Sequence, residues 1–204
     1  GSGALPGQPL SFRALSSRHG KHRERSSGDV LMARSISLIM PAYNEEDTIE
    51  FSVLSALAKL EQYGFDYEIF IFDDASTDTT GKIADHLASR NLRIKVFHNN
   101  VNMNLGFNFA SGIKMATKEY TGLLPCHGQT AAESFDSLLP ALSKADVVVT
   151  YIGNPKARSL KRHIVSRVNV WLINLLFGLN LKYYHLNFYR TEILKKIPTS
   201  TYSY

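Results

Sequence analysis

The sequence predicts an α/β domain, a mostly parallel sheet covered by helices on both faces. Three observations carry this. Short apolar runs stop abruptly at polar, acid-bearing loops, as in Ser37-Leu-Ile-Met-Pro-Ala-Tyr-Asn-Glu-Glu46 and Ile69-Phe-Ile-Phe-Asp-Asp-Ala-Ser-Thr-Asp78. Runs of that kind are nearly continuous in hydrophobicity, as strands buried on both faces are. Between them lie segments with apolar residues three and four apart, the spacing of a helical face. The two kinds of segment alternate along the chain, which is the order that βαβ units produce.

The elements follow in order. Ile36–Met40 reads as the first strand, and Asp47–Leu60 as a helix whose face carries Ile49, Val53, Leu54, Leu57 and Leu60. Tyr67–Phe72 is the second strand. Thr79–Ser89 is a helix, with Ile83 and Leu87 four apart and Asp78 placed to cap it. Arg93–His98, Phe107–Thr117, Tyr120–Leu124, Glu133–Ser143 and Asp146–Tyr151 then alternate strand and helix. Right-handed crossovers are the default for such a chain. Val168–Leu181 is strongly apolar over 14 residues, short of the ~20 needed to cross a bilayer. The favoured expectation is a helix packed on the sheet. The alternative is an interfacial helix touching lipid, because a basic run directly precedes it.

Length and composition bound the rest. The 204 residues have room for one α/β domain plus a tail, and 44% hydrophobic residues suffice for a core. Residues 1–34 carry a net charge of +4, residues 35–125 a net −5 and residues 126–204 a net +6. The pI near 9.3 therefore reflects a basic tail and a basic last third, and gives no reason to expect nucleic-acid binding by the folded part. Gly1-Ser-Gly3 has the look of a cloning remnant, and residues 4–30 lack periodicity and an apolar segment of signal-peptide length. Residues 1–34 are expected to be a disordered basic leader, with an electrostatic membrane tether as the other reading. The single cysteine, Cys126, excludes an internal disulfide and fits a reducing, cytoplasmic setting.

The two acid-bearing loops would stand at neighbouring strand ends, where open α/β sheets gather their ligands. A uracil or guanine ring offers an N–H and a flat face, so Tyr43 beside carboxylates is chemically apt. Together the Pro41-Ala-Tyr-Asn-Glu45 loop and Asp73-Asp-Ala-Ser-Thr-Asp78 resemble the inverting glycosyltransferases of the GT-A fold, a large family that includes the dolichyl- and polyprenyl-phosphate hexose synthases. The resemblance covers about residues 35–198. It implies a Rossmann-like single domain, with residues 35–151 binding a UDP- or GDP-sugar and residues 152–204 on the acceptor side. It places Pro41, Ala42, Tyr43 and Glu45 at the base and ribose, Asp73 on the base N–H and Asp74 near the ribose. Asn104-Leu-Gly106, followed by Ala110, Gly112, Lys114 and Ala116, resembles the family's third element, which puts Gly106 and Lys114 at the nucleotide.

Two departures stand out. Where the family's fourth strand ends in an acid pair holding a divalent cation, this chain has Leu124-Pro-Cys-His-Gly-Gln129. Pro125 and His127 occupy the acid positions, and the loss of both carboxylates should weaken a hard cation such as Mg²⁺. Three readings stay open: weak ligation through His127, of Mn²⁺ for choice; replacement of the metal by basic residues; or loss of catalysis with binding kept. The second departure is the acceptor-side strand, Tyr183–Arg190, which keeps the aromatic-Arg pair in Phe188, Tyr189 and Arg190 but lacks its acid. After Asp146 the only carboxylate side chain is Glu192. The chain ends at Tyr204, where family members continue, which suggests truncation.

The run Lys156, Arg158, Lys161, Arg162, Arg167 holds five cations and no acid. With Ser166 and Asn169 it resembles the stretch that meets donor and acceptor phosphates in polyprenyl-phosphate sugar synthases, which makes Arg162 and Arg167 the expected catalytic pair. Guanidinium forks suit phosphate oxygens. Transfer to a sugar hydroxyl needs a general base, normally Asp or Glu. A phosphate monoester, with its second pKa near ~6, is already ionised at neutral pH. The leading expectation is hexose transfer with inversion from a UDP- or GDP-sugar to a polyprenyl phosphate at a membrane surface. Transfer to a saccharide, with His185, Glu192 or a later residue as base, is the alternative. A non-catalytic sugar-nucleotide-binding module is the reading from another class. A nucleotidyltransferase is disfavoured, because no Gly-rich, Lys-bearing loop follows the first strand.

Overall fold

The computed structural model describes residues 11–14, 35–127, 134–143, 145–151, 168, 171–172, 174–176 and 187–197. The strands are β1 (Ser11–Ala14), β2 (Ser35–Ala42), β3 (Asp66–Asp73), β4 (Ile94–His98), β5 (Tyr120–Leu123), β6 (Val147–Tyr151) and β7 (Asn187–Arg190). The helices are α1 (Ile49–Gln62), α2 (Thr80–Arg90), α3 (Asn104–Met115) and α4 (Ser134–Leu142), and a single helical turn spans Thr191–Leu194. One seven-stranded sheet runs β1-β6-β7-β5-β2-β3-β4. Its β5-β2-β3-β4 portion is parallel, as the alternation of apolar runs and helical spacings predicts.

Alternation within the strands divides the core between the two faces. Ile36, Leu38 and Met40 of β2 and Tyr67, Ile69 and Ile71 of β3 join one cluster, covered by α1, α2 and α4. Ile39, Phe70 and Phe72 point the other way, into a cluster with Ile113 of α3 and with Leu194. Each such fully buried aliphatic side chain contributes about 1.5–3 kcal/mol. Gly112 is what lets α3 lie so close: a Cβ there would stand 2.5 Å from the Ile39 side chain.

The second half of the sheet departs from a plain βα order. β7 lies between β5 and β6 and is antiparallel to both. A Cβ on Gly122 would meet the ring of Phe188, its register partner on β7. Within the leader, for which no element was expected, β1 pairs antiparallel with β6. Main-chain pairing to an open edge needs no apolar periodicity, so the composition of the tail could not announce it.

The apolar stretch after residue 167 also differs from the favoured expectation. Its described residues are helical, yet Val168, Trp171, Leu172, Leu175 and Leu176 are all exposed. The two sheet faces pack against α1, α2 and α4 on one side and α3 and Leu194 on the other, and these exposed residues join neither cluster. Among the described residues no helix is long and apolar enough to cross a membrane.

Candidate functional site

The carboxyl ends of β2, β3, β4 and β5 lie side by side, and the loops leaving them build one cluster. The two sequence motifs are laced together by main-chain and side-chain hydrogen bonds. Asn44 Oδ1 accepts the Thr77 N–H at 2.8 Å, and the Asn44 N–H donates to Ser76 Oγ at 3.1 Å. Glu46 accepts from the Thr79 N–H and hydroxyl at 3.0 and 2.7 Å, and its own N–H donates to Asp78. The Glu45 N–H reaches Thr80 Oγ1 at 2.8 Å. Asp78 also accepts the Thr80 N–H, the helix-start role its position predicts. Asn44, Glu46, Ser76 and Asp78 are thus scaffold. Tyr43, at the tip of the first loop, is 49% exposed and free to present its ring.

Asp73 and Asp74 are buried, 7% and 4% exposed, and turn in opposite directions. Asp73 accepts the Ser76 N–H at 3.1 Å and meets His98 Nδ1 at 2.8 Å. Asp74 turns toward the start of α3, accepting from Asn99 Nδ2 and the Met103 N–H at 2.7 Å and from the Asn104 N–H at 3.0 Å. These donors explain how two adjacent carboxylates share a buried strand end. Each keeps unused lone pairs, since an ionised carboxylate can accept about four hydrogen bonds. Backbone strain concentrates here too. Among the described residues the three non-glycine residues with positive φ, Asn44 (54°), Ala75 (64°) and Asn104 (67°), sit in these loops or at the start of α3.

The loop after β5 folds back over the first motif. The Cys126 N–H donates to the Pro41 carbonyl, and the Cys126 carbonyl accepts from Thr48 and Ser52 of the α1 start. Glu45 Oε2 accepts from Thr48 as well, at 2.7 Å. In its described residues this strand end does not fit a hard divalent cation. Pro125 has no ligand atom in its side chain, and Cys126 is 1% exposed, with burial pushing its thiol far up, so it stays protonated. Among the described residues no group of three or more His, Cys, Asp or Glu side chains is arranged to hold a metal ion.

The structure brings Pro41, Ala42, Tyr43, Glu45, Asp73 and Asp74 together, with Gly106 exposed in the first turn of α3 and open space where a Cβ on it would stand. It does not bring Lys114 there. Lys114 lies in the last turn of α3, about 15 Å along the axis from Asn104. Glu192 is likewise removed from the cluster. It follows Arg190, which pairs in register with Tyr120 at the start of β5, the opposite end of the sheet. Arg190 itself is a staple: its guanidinium binds Asp146 at 2.9 Å and Glu119 at 2.8 Å and reaches the Tyr120 hydroxyl. Arg162, Arg167 and His185 lie outside the described residues, as do Gln129, Ser166 and Asn169. Sequence reasoning missed His98, Asn99 and Gly81. His98 stands level with Asp73 in the parallel register, so the aligned strand ends were the signal that could have found it.

A mostly parallel sheet with acidic and aromatic loops at its carboxyl edge, covered on both faces, is the arrangement of the GT-A class of glycosyltransferases. The chain belongs to glycosyl transferase family 2, whose profile matches residues 37–201. It is 25% identical over 178 residues to the dodecaprenyl-phosphate galacturonate synthase of Rhizobium johnstonii, covering 85% of this chain and 53% of that protein. It is 31% identical over 130 residues to the glycosyltransferase EpsJ of Bacillus subtilis, covering 64% and 37% respectively. The solved mannosyltransferase PcManGT of Pyrobaculum calidifontis, in complex with GDP-Man and Mn²⁺, shares the fold with a TM-score of 0.52 at 16% identity, over 81% of this chain and 48% of that one. The chain thus spans about half or less of the length of these relatives.

Proposed function

We propose that the chain transfers a hexose, with inversion, from a UDP- or GDP-sugar to a polyprenyl phosphate at a membrane surface. The observation that carries this is the laced pair of loops at the sheet's carboxyl edge, which leaves Tyr43 exposed beside the Asp73–Asp74 strand end. Tyr43 offers the flat face for a base, and Asp73 or Asp74 an acceptor for its N–H. The reading of the acceptor draws support from relatives whose names state it: a dodecaprenyl-phosphate galacturonate synthase and an undecaprenyl-phosphate 4-deoxy-4-formamido-L-arabinose transferase.

A phosphate monoester attacks without help from a base, because it is already ionised. That suits a site from which Glu192, the one candidate base among the described residues, is removed to the opposite end of the sheet. The protein's task is then to position two phosphate-bearing ligands, and Arg162 and Arg167 are the residues assigned to them. The exposed Val168, Trp171, Leu172, Leu175 and Leu176 support contact with the membrane interface, where a lipid acceptor resides. Buried, unpaired Cys126 fits the cytoplasmic side.

A second reading, sugar-nucleotide binding without transfer, is favoured by Pro125, Cys126 and His127 at the end of β5. The separating experiment incubates a panel of labelled UDP- and GDP-hexoses with a polyprenyl phosphate and, in parallel, with saccharides. Label in the lipid-phosphate fraction is expected. Label in saccharide instead would overturn the acceptor, and tight donor binding with no turnover would favour the binding module.

A further inference from the structure

His98 Nδ1 lies 2.8 Å from Asp73 Oδ2, and its Nε2 lies 3.1 Å from Asp85 Oδ1 on α2. Both ring nitrogens therefore face ionisable carboxylates, which accept but do not donate when charged. A neutral imidazole has one N–H and can satisfy only one of them, whereas imidazolium satisfies both. The Asp73 side of the bridge is buried, its side chain 10% exposed, while Asp85 is 62% exposed. The helix is fitted to the pair: a Cβ on Gly81 of α2 would stand 2.6 Å from Asp73 Oδ2 and 3.2 Å from the His98 ring. Asp73 in turn holds the Ser76 N–H, and Ser76 Oγ accepts from Asn44 in the first motif.

We propose that His98 is a positioning residue of the nucleotide pocket: clamped between Asp73 and Asp85, it fixes the Asp73 carboxylate and, through Ser76, the geometry of both motif loops. The inference rests on the assignment of this pocket to a nucleotide. It gives the pocket a pH dependence. The Asp73 hydrogen bond, aided by Asp85 and opposed by partial burial, raises the His98 pKa above its ordinary value. The contribution of the bridge is therefore fully present below about pH 6.5 and is lost as pH rises through the raised folded-state value. The ionisable groups facing the ring are Asp73 from β3 and Asp85 from α2.

The test is calorimetric titration of UDP and GDP across the range from about pH 6 to about pH 8.5, in wild type, His98→Gln and Asp85→Asn. The phosphate titration of the ligand is common to all three and cancels. Wild-type affinity should fall by up to about tenfold across the range. His98→Gln keeps one N–H donor for Asp73 but cannot titrate, so its profile should be flatter, and Asp85→Asn should move the midpoint to lower pH. A His98→Gln profile superimposable on wild type, with nucleotide still bound, would overturn the positioning role alone. Failure of wild type to bind UDP or GDP at any pH would overturn the assignment of the pocket and the positioning role with it.

Discussion

Asn44 Oδ1 and the Thr77 N–H, 33 residues apart in sequence, meet at 2.8 Å and tie the first motif loop to the second. Asn44 also carries φ of 54°, a conformation that asparagine tolerates better than most residues. Asn44→Gly should lose the contact with the Thr77 N–H together with the Thr77 hydroxyl's bond to the same oxygen, about 0.5–1.5 kcal/mol for each hydrogen bond. Asn44→Ala should lose that and add about 1–2 kcal/mol of left-handed strain. Urea unfolding of the two variants checks the order. Equal midpoints would show that strain plays no part.

The same lacing explains what was and was not legible in the sequence. Apolar runs located β2 and β3 to within two residues, because strands buried on both faces leave no ambiguity of period. The apolar spacing places the start of α3 three residues late, at Phe107, because the N–H groups of Met103 and Asn104 are met largely by Asp74, from the loop after β3, with Asn102 adding a local acceptor. The place of β7 between β5 and β6 is a tertiary fact; no periodicity in Asn187–Arg190 encodes which strands it joins. Among the candidate-site residues, Tyr43, Asp73 and Asp74 stand out by motif. His98 did not, since a histidine closing a strand looks like any other until the register sets it beside Asp73.

Metal dependence should be weak. Pro125, the buried Cys126 thiol and His127 make a poor oxygen-ligand set for Mg²⁺. Nucleotide affinity should change by less than about threefold when Mg²⁺ is replaced by chelator. His127→Asp should make binding Mg²⁺-responsive. Strong Mg²⁺ dependence in the wild type would mean that another carboxylate does the job.

Trp171 is the only tryptophan in the chain and is 61% exposed, so it reports on its own surroundings without interference. Anionic lipid vesicles should shift its emission to the blue and raise its intensity, through burial of the apolar face at the interface. The electrostatic part of that binding should fade as ionic strength rises and the Debye length falls from about 30 Å to about 8 Å. An unshifted spectrum at low salt would remove the membrane contact from the account.

The most direct measurement of the central claim is titration of UDP and of GDP into wild type, Asp73→Ala and Asp74→Ala, with the fold of each variant checked by its unfolding transition. The account predicts that wild type binds at least one of the two nucleotides. Each variant, still folded, should bind it more weakly by about 1.5–3 kcal/mol, the worth of a hydrogen bond to a charged group. Wild-type affinity for neither nucleotide, or undiminished affinity in both folded variants, would contradict it.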